Sequence, residues 1–162
     1  METPVLFLDR FCGREVYPII RASWNLYQSE QLGLSNLCLL IDAGYGTVLH
    51  EDSETLAAKP QWEVNCIQSS LDLSSLTPGA HFTVPDGYNE SQGGYVTNLY
   101  YCEHEVSDNH KIEIVKREGD QLLIRMTGET IDINFYDGSK PPTILSVETW
   151  FKHDPMTMRS MS

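Results

Sequence analysis

Between residues 94 and 154, apolar side chains recur at every second position in short runs divided by turn formers, and that spacing restricts the segment to β-sheet. Ile112 and Ile114, then Leu122, Ile124 and Met126, then Ile131, Ile133 and Phe135 would each line one face of a strand. Gly128-Glu129, with glycine first, suits a type II′ hairpin that sets Met126 opposite Ile131, Ile124 opposite Ile133 and Leu122 opposite Phe135. The earlier turn at Glu118-Gly119-Asp120 needs an odd number of residues to bring Ile114 opposite Ile124 and Ile112 opposite Met126. A one-residue slip would turn the apolar set of one strand outward. Gly119 can supply the left-handed position of a bulged turn. The same register places Arg125 between Glu113 and Asp132 on the outer face, a solvated charge ladder worth roughly 0.2–1 kcal/mol per pair.

Elsewhere the pattern continues. Val5 to Arg10 reads as a first strand. A strand before Trp24 would contain Pro18, which marks an edge or a bulge. Leu37-Cys38-Leu39-Leu40-Ile41 is a continuous apolar run, expected as a central strand buried on both faces. Residues 51–59 are expected as a short helix stopped by Pro60, and residues 71–76 as a single helical turn. Trp62, Val64 and Cys66 alternate on another strand, residues 81–84 form a short one, and residues 85–94 form a polar loop of a length often used for function. Residues 95–106 read as one long strand, 143–151 as the last strand, and 155–162 as a disordered tail after a single β domain spanning 1–154. About nine mainly antiparallel strands with one or two short helices make an all-β fold, a β-sandwich or a partly closed β-barrel.

Against 11 Lys and Arg stand 23 Asp and Glu, a net charge of −12. That balance argues against nucleic acid or an anionic membrane as partner and fits a basic partner, a cation or solubility. No apolar run approaches the length of a membrane-spanning helix, and the N-terminus lacks the basic start of a signal peptide, so a cytoplasmic location is expected. Cys12, Cys38, Cys66 and Cys102 are widely spaced without a CxxC pair, as buried free thiols would be.

No motif announces catalysis. There is no Gly-x-Ser-x-Gly elbow, and Asp42-Ala43-Gly44-Tyr45-Gly46 lacks both the Lys-Ser/Thr of a P-loop and the third glycine of a dinucleotide site. Enzymatic activity is therefore not expected, an unrecognised hydrolase being the remaining catalytic reading, and no cofactor is implied. On a strand, Cys102 and His104 would share a face and could join another histidine as metal ligands, although the spacing is not that of a zinc motif. Asp86, Asp108, Asp120 and Asp137 lie in or beside turns, where they could converge on calcium or serve the backbone alone.

Binding is the remaining class. Strand parity sets Tyr101, Tyr136 and Trp150 opposite the apolar core face, and with Glu103 and Glu105 they would form an aromatic, acidic surface. The expectation is a non-enzymatic binding protein that engages a protein with a basic surface, in the manner of an inhibitor or immunity protein. A barrel holding a small apolar ligand and a calcium-dependent module are the alternatives, and an exposed edge strand could pair two copies.

Overall fold

The computed structural model describes residues 3–53 and 58–159. Twelve strands account for almost all the regular structure: β1 Val5–Arg10, β2 Gly13–Ser29, β3 Leu34–Ala43, β4 Gln61–Gln68, β5 His81–Val84, β6 Tyr88–Asn89, β7 Gly94–Tyr95, β8 Thr97–Tyr100, β9 His104–Glu105, β10 Asp108–Glu118, β11 Gln121–Thr130 and β12 Thr143–His153. Two 3-10 turns, Leu73–Ser75 and Glu90–Gln92, are the described helical elements. The helix expected over 51–59 cannot be placed, because 54–57 lie outside the described residues.

Ten strands form one sheet in the order β5-β10-β11-β12-β1-β2-β3-β4-β8-β9, and β6-β7 is a separate ribbon. Neighbours are antiparallel, apart from a short parallel contact in which the end of β12 meets the middle of β2 at Ser23 and Trp24. Alternate residues of the long strands all enter one core, from Leu6 and Leu8 on β1 through Leu39 and Ile41 on β3 to Ile124 on β11 and Phe151 on β12. A flat sheet of this width cannot bring one face to a common centre, so the sheet coils on itself as a partly closed barrel rather than dividing into the two layers of a sandwich.

Side chains close the seam where the two ends of the sheet meet. Trp62 of β4 lies with its ring centroid 6.0 Å from that of His110 on β10. Its indole N–H donates to Ser107 Oγ at 3.0 Å, and Thr97 of β8 bonds the Ser107 backbone through both its N–H and its C=O.

Two features of the expected register changed. Ile112 does face Met126 and Ile114 does face Ile124, but the turn has two residues, Glu118 pairing Gln121, and a bulge between Ile114 and Lys116 restores the parity. Gly119 takes the left-handed conformation, φ +60. The Gly128-Glu129 hairpin does not form: β11 runs through it and pairs with β12, setting Met126 opposite Val147, Ile124 opposite Thr149 and Leu122 opposite Phe151. A Cβ on Gly128 would stand 2.9 Å from Trp62 Cζ2 and 2.8 Å from His110 Cδ2. The glycine is a point of close approach across the barrel, not a turn.

Other readings hold or shift with local geometry. Pro18 precedes a bulge between Ile19 and Arg21, and β3 is flanked by β2 and β4 as a central strand. The long strand read over 95–106 is broken at Cys102, which turns the chain with φ +65. Of the tail expected over 155–162, residues 160–162 lie outside the described residues, and 155–159 are packed: Thr157 is buried, its carbonyl accepts from Asn25 and Tyr27, and its hydroxyl bonds Ser23. This strap crosses the outer face of β2 and ends where Arg159 donates to the carbonyl of Tyr95.

Candidate functional site

A charged network lies inside one end of the barrel. Inward alternation on β1 continues from Leu6 and Leu8 to Arg10, and on β2 it runs Glu15, Tyr17, Ile19, so a cation and an anion are carried into the core on either side of one turn. Arg10 Nε and Nη2 each donate to Asp132 at 3.0 Å, and Nη1 donates to Glu15 Oε2 at 2.9 Å and to the Asp52 carbonyl at 2.6 Å. Glu15 Oε1 lies 2.7 Å from the hydroxyls of both Tyr17 and Tyr101, which are 2.8 Å from one another. Ser53 donates to the other Glu15 oxygen at 2.5 Å.

Burial works against the ionised form of Glu15, but bonds from Ser53, Tyr17, Tyr101 and Arg10 outweigh it and hold the carboxyl below its ordinary range. Asp132 is likewise held low, burial being overcome by Arg10, the Asn134 N–H and Thr143. Burial and the adjacent carboxylate push the Tyr17 phenol up, and burial does the same at Tyr101. Every polar group named here has a partner, and the network ties the strand ends together rather than awaiting a reactant.

This network corrects two expectations. Tyr101 is fully buried and belongs to the network, not to an exposed aromatic surface. Asp132 does not join the outer ladder; Arg125 instead bonds Glu113 at 3.1 Å and Glu148 at 2.7 Å. Arg10, Glu15 and Tyr17 were missed, although extending the Leu6, Leu8 alternation by one step puts a charge on the core face.

The other expected surface residues divide. Tyr136 donates its hydroxyl to Glu103, which brings the loop of residues 131–142 against the turn between β8 and β9. Glu105 stands two residues along, and its carboxyl is pushed up by burial and by the charge of Glu103, against the pull of a Val106 backbone N–H. Trp150, 36% exposed, lies on the outward side of β12 opposite Leu123 of β11, on a pair of strands that carries none of these three residues. The structure therefore joins Tyr136, Glu103 and Glu105 and leaves Trp150 apart.

His104 and Cys102 do not share a strand face, because the turn at Cys102 destroys the parity. The His104 ring lies against Tyr100 at 4.7 Å, and its Nδ1 is 3.1 Å from Asn98 Oδ1. Among the described residues no group of three or more His, Cys, Asp or Glu side chains is placed to hold a metal ion. Two of the four turn aspartates do backbone work: Asp108 accepts from the Gly87 N–H at 2.7 Å and Asp137 from the Ser139 N–H at 2.9 Å.

At the seam, Ser107 Oγ is 2.7 Å from His110 Nε2, and His110 Nδ1 is 2.8 Å from the Val84 carbonyl. Since a carbonyl can only accept, Nδ1 carries the proton and Nε2 takes the serine hydroxyl's hydrogen. Spacing of this kind activates serine nucleophiles, but Ser107 is fully buried, His110 is 1% exposed, and the serine oxygen also accepts from Trp62. A substrate carbonyl has no approach, so the pair is a structural clasp.

Beside the seam, where β4 runs past β8 and faces β5, the surface carries a groove of about 320 Å³. Asn65, Val84, Asp86, Tyr88, Asn89 and Glu90 are among its walls. The loop that shapes it is pinned: the Asn109 N–H donates to the Pro85 carbonyl at 2.8 Å, the Val96 N–H to the Gly87 carbonyl at 2.8 Å, and Asn89 caps the turn at Ser91. A Cβ on Gly87 would lie 2.1 Å from Val106 Cγ2 and 2.2 Å from the Ser107 carbonyl, so the loop packs directly on the link between β9 and β10. The Gly87 N–H on Asp108 thereby brings the loop that carries Asp86 against the segment that carries Glu103, Glu105 and Asp108. The loop's length suggested function in the sequence, but its apposition to β4 did not show there.

Comparison of the chain with protein-family models, with curated proteins and with solved structures gives no match.

Proposed function

We propose that this protein works by binding a protein partner with a basic surface, along the acidic edge that runs from the groove to the turn between β8 and β9. The observation that carries the reading is the pair Glu103 and Glu105: two carboxylates crowded at one turn, with no cationic side chain of the described residues bonded to either. A lysine or arginine from a partner would relieve that repulsion while Tyr136 offers an aromatic surface beside it. The net charge of −12 extends the attraction beyond contact and speeds encounter at low salt. The reading includes an inhibitor or immunity role, in which an acidic domain covers the basic face of an enzyme.

The test is affinity capture from the source cell extract, comparing the wild type with a Glu103→Lys, Glu105→Lys double variant. The expected result is a captured protein of pI above about 9, released by salt and lost from the variant. An acidic partner, or one retained equally by the variant, would overturn the reading.

A further inference from the structure

The groove between β4 and β5 has walls of a definite chemistry. Asp86 and Glu90 contribute carboxylates, and none of the residues lining it is Lys or Arg. Tyr88 presents a half-exposed ring, held by an edge contact with Tyr95 at 5.0 Å and 72°. At the back, Asn65 is 1% exposed and locked, with Nδ2 donating to Glu63 at 2.8 Å and to the Val96 carbonyl at 3.0 Å and Oδ1 accepting from Asn36 at 3.0 Å. An anion would meet two carboxylates, and a purely apolar ligand would strip water from them without compensation. A guanidinium or alkylammonium meets acceptors and an aromatic face together, the combination used for such cations. On the neighbouring strand β7, the chain's own Arg159 is held by the Tyr95 carbonyl, to which its Nη2 and Nε donate at 2.7 and 3.2 Å.

We infer that the groove is a binding site for an organic cation, a guanidinium or alkylammonium group set between Asp86, Glu90 and the ring of Tyr88. The group can come from an arginine or lysine of the basic partner or from a free amine such as a polyamine. In the first case the groove is the anchoring subsite of the proposed interface; the free-amine case does not depend on that reading.

Titration followed by NMR tests it, with agmatine, spermidine, a blocked arginine-containing tripeptide and, as a neutral control, a hexose. Expected are saturable shifts at Asn65, Asp86, Tyr88 and Glu90 with a Kd on the order of 1 mM or tighter. Affinity should weaken at least roughly tenfold in the isosteric Asp86→Asn, Glu90→Gln variant, whose amide spectrum otherwise matches the wild type. Binding of the peptide alone assigns the site to a partner's side chain, and binding of the free amines assigns it to a small ligand as well. No saturation by any cation, equal saturation by the hexose, or undiminished binding by the double variant would overturn the inference. The Glu103→Lys, Glu105→Lys protein leaves the groove intact, so cation binding that survives in it while partner capture fails separates the two readings.

Discussion

Arg10 and Asp132, 122 residues apart in the chain, are joined by two parallel N–H···O bonds of 3.0 Å between side chains that are almost wholly buried. The bond pair ties the end of β1 to the segment that leaves β11, and Arg10 carries the connection on to Glu15 and both tyrosines. Breaking such a pair leaves an uncompensated charge in the core.

Replacing Asp132 with alanine should therefore lower stability by about 3–5 kcal/mol. Arg125→Met, which removes an exposed pair, should cost less than about 1 kcal/mol. Urea denaturation of both variants checks the contrast, and equal losses would show that the inner network is not the stronger tie.

Acid should act through the same network. The folded-state values of Glu15 and Asp132 lie below their unfolded ones, so their contribution is complete above the unfolded range of roughly pH 4–4.5 and is lost as pH falls through the folded values. The urea midpoint should drop steeply below about pH 4. The Asp132→Ala protein should show a shallower drop.

His110 adds a second, milder dependence. Burial depresses the imidazole's basicity despite the Val84 carbonyl and the charge of Asp108. The unfolded chain then binds a proton from about pH 6.5 downward while the folded protein resists it, so stability falls as pH drops below that point. In His110→Asn, less stable overall, the slope between about pH 6.5 and 5 should be reduced. An unchanged slope would place its origin elsewhere.

Adding one methyl at either of two glycines should be costly. Gly87→Ala would drive a Cβ into Val106 and the Ser107 backbone, and Gly128→Ala would drive one into Trp62 and His110. Each should lose about 1–3 kcal/mol or more, whereas Gly33→Ala, with open space around it, should be limited by its φ of +64 alone. Thermal melts of the three variants order these costs.

The four thiols should react unequally. Cys38 and Cys66 are buried, and burial pushes their thiols up to about 12 and about 11. Cys12 and Cys102 are partly exposed. An aromatic disulfide reagent should modify the latter pair first, with the former pair following on denaturation. Mass mapping of early adducts on Cys38 would contradict the buried placement.

Period-two alternation determined the all-β class and the facing of Ile112 with Met126, and the unbroken apolar run from Leu37 to Ile41 the central position of β3, because those depend on residues adjacent in the chain and on one strand's two faces. It did not reveal that Gly128 lies within a strand, since the reason is a tryptophan approaching from across the barrel. Nor did it send Asp132 to Arg10 rather than Arg125: strand parity places a side chain on a face, but the loop after β11 left the sheet and carried Asp132 inward. Loop length marked residues 85–94 as a candidate site, while the groove itself exists because coiling of the sheet brings β4 and β5 face to face. Such long-range juxtapositions have no local periodicity, and tertiary packing alone decided them.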